Sequence, residues 1–166
     1  MTDGLSHIDD AGAARMVHVG DKPLTARRAA ASARLSMSAR TLQLALEGGG
    51  PKGPVLEIAR LAGIQAAKRT AELIPLCHQL PLDGVDVEIR ADSAGNALCL
   101  RAEAFTTWRT GVEMEALTAV SVAGLTLIDM LKAVQKDMVL GAIQLESKSG
   151  GRSGTWTRAS AASPET

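Results

Sequence analysis

The sequence predicts an α+β domain, with helices packed on one face of a mainly antiparallel sheet. Three observations carry that expectation. Apolar and polar residues alternate over 28–37. They alternate again on both sides of a turn-forming stretch, Ser93-Ala94-Gly95-Asn96. Apolar residues recur at helical spacing over 54–73 and over 111–136. A chain of 166 residues, 46% hydrophobic and 22% charged, suits one globular domain that needs no disulfide staples. No internal repeat is visible.

Each element has its own reason. Ala29, Ala31, Ala33, Leu35 and Met37 alternate with Arg28, Ser32, Arg34 and Ser36, the pattern of a half-buried strand despite the alanines. Ser38 is a good helix N-cap, and the short helix carrying Leu42, Leu44, Ala45 and Leu46 stops at Gly48. After the loop 48–53, Pro54 fits the first turn of a second helix, which runs through Val55, Ile58, Ala59, Ala62, Ala66 and Leu73 to Pro75. Val85, Val87 and Ile89, the turn, and Leu98, Leu100, Ala102 and Ala104 make an antiparallel hairpin. A long helix over 111–136 is followed by a strand at 143–145 and a polar loop at 147–154. The folded domain is expected to span 1–154, with 1–4 mobile and a mobile tail over 155–166.

Composition narrows the function. Lys plus Arg number 18, as do Asp plus Glu, so no overall field draws the chain to nucleic acid or an anionic membrane. The aromatics are Phe105, Trp108 and Trp156, too few for the stacking platforms of single-strand binders. Cys77 and Cys99 form no CxxC pattern, and reduced cytoplasmic thiols are the plain expectation. The longest apolar stretch, 116–134, is interrupted by Asp129 and Lys132, so no membrane span is expected.

Candidate chemistry lies in charged groups set among apolar ones. Asp129 and Lys132 share a helix face and can be a proton donor and acceptor on a ligand, or a surface ion pair; their apolar flanks suggest partial burial. Glu113 and Glu115 suit the positive end of the same helix without any further role. Glu115 and Asp129 nearly share a face but stand roughly 20 Å apart along a continuous helix, too far for one small ligand. If both serve one site, the helix breaks or two subunits build the site together. Lys52 in its glycine loop could approach phosphate, although the loop lacks a Walker ending. The run 147–154, with Lys148, fits phosphate binding or a solvated loop. His78 beside Cys77, between Pro75 and Pro81, can be an acid/base group or a structural histidine. Lys68 can be a solvated helix residue. With His7 and His18 remote in sequence and no HxxxH, no metal site is expected.

Several segments carry a resemblance: Leu5-Ser6-His7-Ile8, Ala62-Gly63-Ile64-Gln65-Ala66-Ala67-Lys68, Ile74-Pro75-Leu76-Cys77-His78, and Thr110-Gly111-Val112-Glu113-Met114-Glu115-Ala116-Leu117-Thr118. Asp129-Met130, Lys132-Ala133-Val134-Gln135-Lys136-Asp137-Met138 and Lys148-Ser149-Gly150-Gly151 continue it. In order, over 5–154, they resemble the cyclic pyranopterin monophosphate synthase family, molybdenum cofactor biosynthesis protein C. The resemblance implies a ferredoxin-like α+β subunit, a hexamer built as a trimer of dimers, and sites near the dimer interface. It implies a 3′,8-cyclised dihydro-GTP substrate supplied by a radical SAM GTP cyclase, and cyclic pyranopterin monophosphate and pyrophosphate as products. By position, Asp129, Lys132 and Lys52 match the family's catalytic set. Leu76, Cys77, His78, Met114 and Glu115 match its substrate contacts, with Glu113, Lys68, Arg27 and Lys148 as further pocket residues. Departures are Pro54 where Asp is frequent, Trp108-Arg109 where Gly-Lys is common, and Arg152 where Lys is usual.

The implied reaction is acid/base chemistry that needs no redox cofactor, and Mg²⁺ could accompany the triphosphate. Lys132 and Lys52 would exchange protons with the nucleotide, Asp129 would orient Lys132 or take a proton, and His78 and Glu115 would hold or protonate the base. Two rivals keep the fold. One is a nucleotide-binding oligomer without catalysis; the other, a ferredoxin-like RNA binder, lacks both the aromatic stack and a basic face.

Overall fold

The computed structural model describes residues 12–48 and 53–159. Expectations for residues 1–4, His7 and Lys52 lie outside the described residues. The elements are β1 (Thr25–Ser36), α1 (Ala39–Leu46), α2 (Val55–Ala67), α3 (Thr70–Leu73), β2 (Gly84–Asp92), β3 (Ala97–Trp108), α4 (Glu113–Leu131), β4 (Val139–Ser149) and β5 (Trp156–Thr157). The sheet order is β2-β3-β1-β4-β5, and every pairing is antiparallel. A βαββαβ path with β1 and β3 central and β4 outside β1 is the ferredoxin-like arrangement, with β5 added at the β4 edge.

Period-two patterning in β1 works as read. Ala29, Ala31, Ala33 and Leu35 face the helices and are buried, as are Leu98, Leu100, Ala102 and Ala104 of neighbouring β3. Against them α4 lays Ala116, Ala119, Val120, Ala123, Leu127 and Leu131, and α2 adds Val55 and Ala59. α4 is long and apolar enough to cross a membrane by length and composition alone, and 56% of its most apolar window is buried here, so core packing accounts for its character.

The alanine-rich layers let α2 and α4 approach closely, and Gly63 marks the tightest point. A Cβ there would stand 2.9 Å from the Ala119 carbonyl oxygen and 3.2 Å from the Ala123 Cβ. Backbone on a packed helix cannot swing aside as a flexible side chain would. Gly63→Ala is therefore expected to lose about 1–3 kcal/mol of stability through overpacking, outweighing the roughly 1 kcal/mol that alanine's helix propensity returns. Chemical denaturation checks this; an unchanged or higher midpoint would refute the close-approach account.

The elements differ from the sequence expectation in four places. The helix expected to reach Pro75 breaks at Lys68 and Arg69, where the Thr70 hydroxyl donates to the Ala67 carbonyl at 3.0 Å and Arg69 N–H turns back to the Ala66 carbonyl. α4 ends at Leu131 rather than Lys136: the Val134 N–H turns to the Leu131 carbonyl at 2.8 Å in a tighter turn, and beyond it the Gln135 Oε1 accepts from the Ser38 N–H at 2.8 Å. β4 runs over Val139–Ser149, with register shifts against β1 and Ala142 in left-handed backbone (φ 48°). Residues 147–149, expected in a loop, are strand. In the segment assigned to the tail, Trp156 and Thr157 pair with Lys148 and Ser147. Two expectations of detail are met: Ser38 Oγ accepts from Thr41 N–H, and the hairpin turns at 93–96, where Asp92 accepts from the Gly95 N–H at 2.9 Å.

Candidate active site

A cavity of about 250 Å³ opens at the N-terminus of α4, lined by Leu76, Cys77 and His78 from the loop after α3, by Thr110, Gly111, Glu113 and Met114, and by Val17 and Val19. Pro75 ends the short helix α3, which sends the Leu76-Cys77-His78 segment across the start of α4. His78 is fixed by its Nε2–H donating to the Val17 carbonyl at 2.6 Å; because a carbonyl only accepts, Nε2 carries the proton. Nδ1 is left as the ring's acceptor in the neutral form.

Glu115 sits on the core side of this wall. It is 2% exposed, its Oε1 accepts from the Cys77 thiol with sulfur at 3.8 Å, and its Oε2 is buried without a hydrogen-bond partner among the described residues. Burial pushes the carboxyl up to about 7 from an ordinary 4.5; its own backbone N–H and the Cys77 thiol oppose that shift, and Glu113's charge adds to it. Burial, with Glu115 nearby, pushes the Cys77 thiol up to about 11. The site thus holds a carboxyl able to gain or lose a proton near neutral pH behind a thiol that stays protonated.

A carboxyl raised to about 7 keeps a proton in the folded state that the unfolded chain releases near 4.5. Its contribution is full below the lower value, falls as pH rises between the two, and levels off above about 7. Glu115→Gln removes that dependence while keeping the volume. The variant should gain on the wild type by on the order of 3 kcal/mol between pH 5 and pH 8. Parallel unfolding midpoints at the two pH values would sink the assignment.

Of the basic candidates, Lys148 stands beside an acidic one, while Arg27 lines a separate cavity with Arg28 and Asp83. Lys148, at the end of β4, places Nζ 3.6 Å from Glu113 Oε1 and also meets Ser153 Oγ. Arg27, on β1, donates from Nε to the Trp108 carbonyl at 2.9 Å and from Nη2 to the Arg109 carbonyl at 3.2 Å. Gly151, packed against the Arg27 guanidinium, takes left-handed backbone (φ 71°), which accounts for glycine at this turn. The guanidinium braces the end of β3 just before Thr110 and Gly111. Arg109 in turn stacks over the Trp108 ring at 5.2 Å, so the two departures from the family pattern pack on each other.

Other expected residues lie elsewhere in the chain. Asp129 and Lys132 form an ion pair at 2.5 Å near the far end of α4, with side chains 56% and 60% exposed. That corrects the expected partial burial: their apolar neighbours Leu127, Met130 and Leu131 face the core, while the pair faces outward with Leu125. Lys68 lines a separate, wider cavity of about 790 Å³ on α2 with Ile58, Leu61, Gln65, Arg69 and Glu72. Among the described residues no group of three or more His, Cys, Asp or Glu could hold a metal ion. Sequence reasoning gave no role to Val17, Val19, Thr110 or Gly111; the valines sit in an irregular segment without periodicity, and the other two only flank the matched carboxylates.

Fold and cleft together define a ferredoxin-like domain with a candidate ligand cavity at the start of its central helix. The chain belongs to the MoaC family, whose model matches residues 16–151. It is 60% identical over 156 residues to the cyclic pyranopterin monophosphate synthase of Chloroflexus aggregans, covering 94% of each chain. It is 58% identical over 154 residues to that of Thermomicrobium roseum, covering 93% of each. With the one from Streptomyces coelicolor it shares 54% over 156 residues, 94% of this chain and 91% of the relative.

Proposed function

We propose that the chain is a cyclic pyranopterin monophosphate synthase, a lyase of molybdenum cofactor biosynthesis. Its substrate is 3′,8-cyclised dihydro-GTP and its products are cyclic pyranopterin monophosphate and pyrophosphate. One observation carries this reading beyond the relatives' names. Two motifs whose linking residues, Cys77 and Glu115, are 38 positions apart converge at one cavity, with a near-neutral carboxyl at its back.

In this reading the cavity takes the base portion of the nucleotide. His78, with Nε2–H held by Val17, offers Nδ1 as an acceptor, and Glu115 exchanges a proton with the ring being rebuilt. Met114 and Leu76 supply the apolar walls. Arg27 and Lys148 face the triphosphate, Lys148 exchanging its contact with Glu113 for phosphate oxygens. Asp129 orients Lys132, which acts with Lys52 as the proton-transferring pair. The rearrangement opens one ring, forms a pyrazine and closes a cyclic phosphate with no net redox change, so it calls for no resident cofactor; any Mg²⁺ travels with the triphosphate.

Both ends of α4 must then serve one site. Since α4 is continuous from Glu113 to Leu131, roughly 20 Å of helix separates Glu115 from Asp129. We place the complete site between two subunits of a hexamer arranged as a trimer of dimers, in which Asp129 and Lys132 of one subunit approach the cavity of the next. Lys68 would join it from α2. The setting is cytoplasmic, downstream of a radical SAM GTP cyclase that makes the substrate. Incubation with that substrate tests the reading: pyrophosphate and an oxidisable fluorescent pterin are expected, whereas tight binding without product would favour a non-catalytic nucleotide-binding oligomer.

A further inference from the structure

We infer that Cys77 is a positioning residue for this reaction: its thiol holds one oxygen of the buried Glu115 carboxyl, so that the other oxygen is kept for a donor on the ligand. The inference rests on the synthase reading and adds to it a residue acting through Glu115.

Three features of the structure support it. Cys77 lines the cavity and also touches Glu115, so it links the ligand space to the carboxyl behind it. Glu115 is 2% exposed and its Oε2 has no hydrogen-bond partner among the described residues, an arrangement that costs stability and calls for an occupant. The other polar groups nearby are already engaged: Glu113 pairs with Lys148, and His78 Nε2 with the Val17 carbonyl. Beside the carboxyl's own backbone N–H, the thiol is the side chain that holds the carboxyl's direction. Burial keeps it protonated, so it donates to Oε1 and does not compete as a second anion.

Cys77→Ala and Cys77→Ser separate this role from simple space filling, because serine restores a donor and alanine does not. With the cyclised dihydro-GTP, Cys77→Ala is expected to lower kcat on the order of tenfold or more, with a smaller change in KM. It should also move the pH limb set by Glu115 upward, since the thiol's hydrogen bond holds that carboxyl down. Serine should restore both the rate and the profile. Alanine and serine variants that match each other, with the wild-type pH profile, would overturn the inference while leaving the synthase reading intact. A wild-type protein that releases no pyrophosphate would sink the synthase reading instead. In that event a carboxyl-carbon NMR titration of Glu115 without ligand decides the thiol's role: its midpoint should rise in Cys77→Ala and stay in place in Cys77→Ser.

Discussion

Lys132→Ala is expected to cut pyrophosphate release by on the order of 10²–10⁴ in kcat, the usual worth of a positioned proton-transfer group, while substrate still binds. The side chain leaves the C-terminal cap of α4, where the Lys132 N–H donates to the Ile128 carbonyl at 2.8 Å. Nζ is held at 2.5 Å by Asp129. A charge-assisted bond of that kind fixes an otherwise flexible ammonium and lets one carboxylate set its direction. At 60% exposure the lysine contributes little to the core, so its removal should leave the unfolding midpoint nearly unchanged. The two kinetic constants separate its possible tasks. A raised KM with unchanged kcat would make Lys132 a phosphate anchor and end the proton-transfer assignment. Asp129→Asn should reproduce part of the kcat loss, since it leaves the amine present and only loosens it.

Local rules made most of the fold legible. The alternation in β1, the Ser38 cap and the turn at 93–96 each depend on residues within a few positions of one another, and the structure forms all three. Where the reading failed, a distant or unpatterned contact decided. Just beyond the end of α4 the Gln135 side chain serves Ser38, 97 residues away. Ala142 adopts a left-handed turn that nothing in its own chemistry announces, and the resulting shift hides most of β4 from a period-two search. The site follows the same division. Matched segments identified Cys77, His78, Glu113, Met114 and Glu115, yet the Cys77–Glu115 contact and the orphan Oε2 arise only from packing. Asp129 shows the opposite error: apolar sequence neighbours implied burial, but on a helix the adjacent positions point to other faces.

The outward stripe of α4 leads to the second large expected effect. Leu125 shares it with Asp129 and Lys132, and Val139 and Ile143 are exposed on β4, which also packs against α4. Apolar side chains beside the Asp129–Lys132 ion pair are what coverage by another subunit, as proposed above, would bury. Glu115→Gln and Asp129→Asn should each be nearly inactive as pure oligomers. In a mixed dimer, one site receives both substitutions and the other receives neither. Random one-to-one pairing makes half the dimers mixed, so about a quarter of wild-type activity should return if sites are shared across a two-fold interface. Co-expression with two different affinity tags, followed by sequential capture, removes the unmixed oligomers, and in a hexamer of three randomly paired dimers the expectation stays at about a quarter. A captured hybrid that remains inactive would place Glu115 and Asp129 in separate roles within one subunit. The two-subunit site would then be wrong, even for a chain whose wild-type form makes the product.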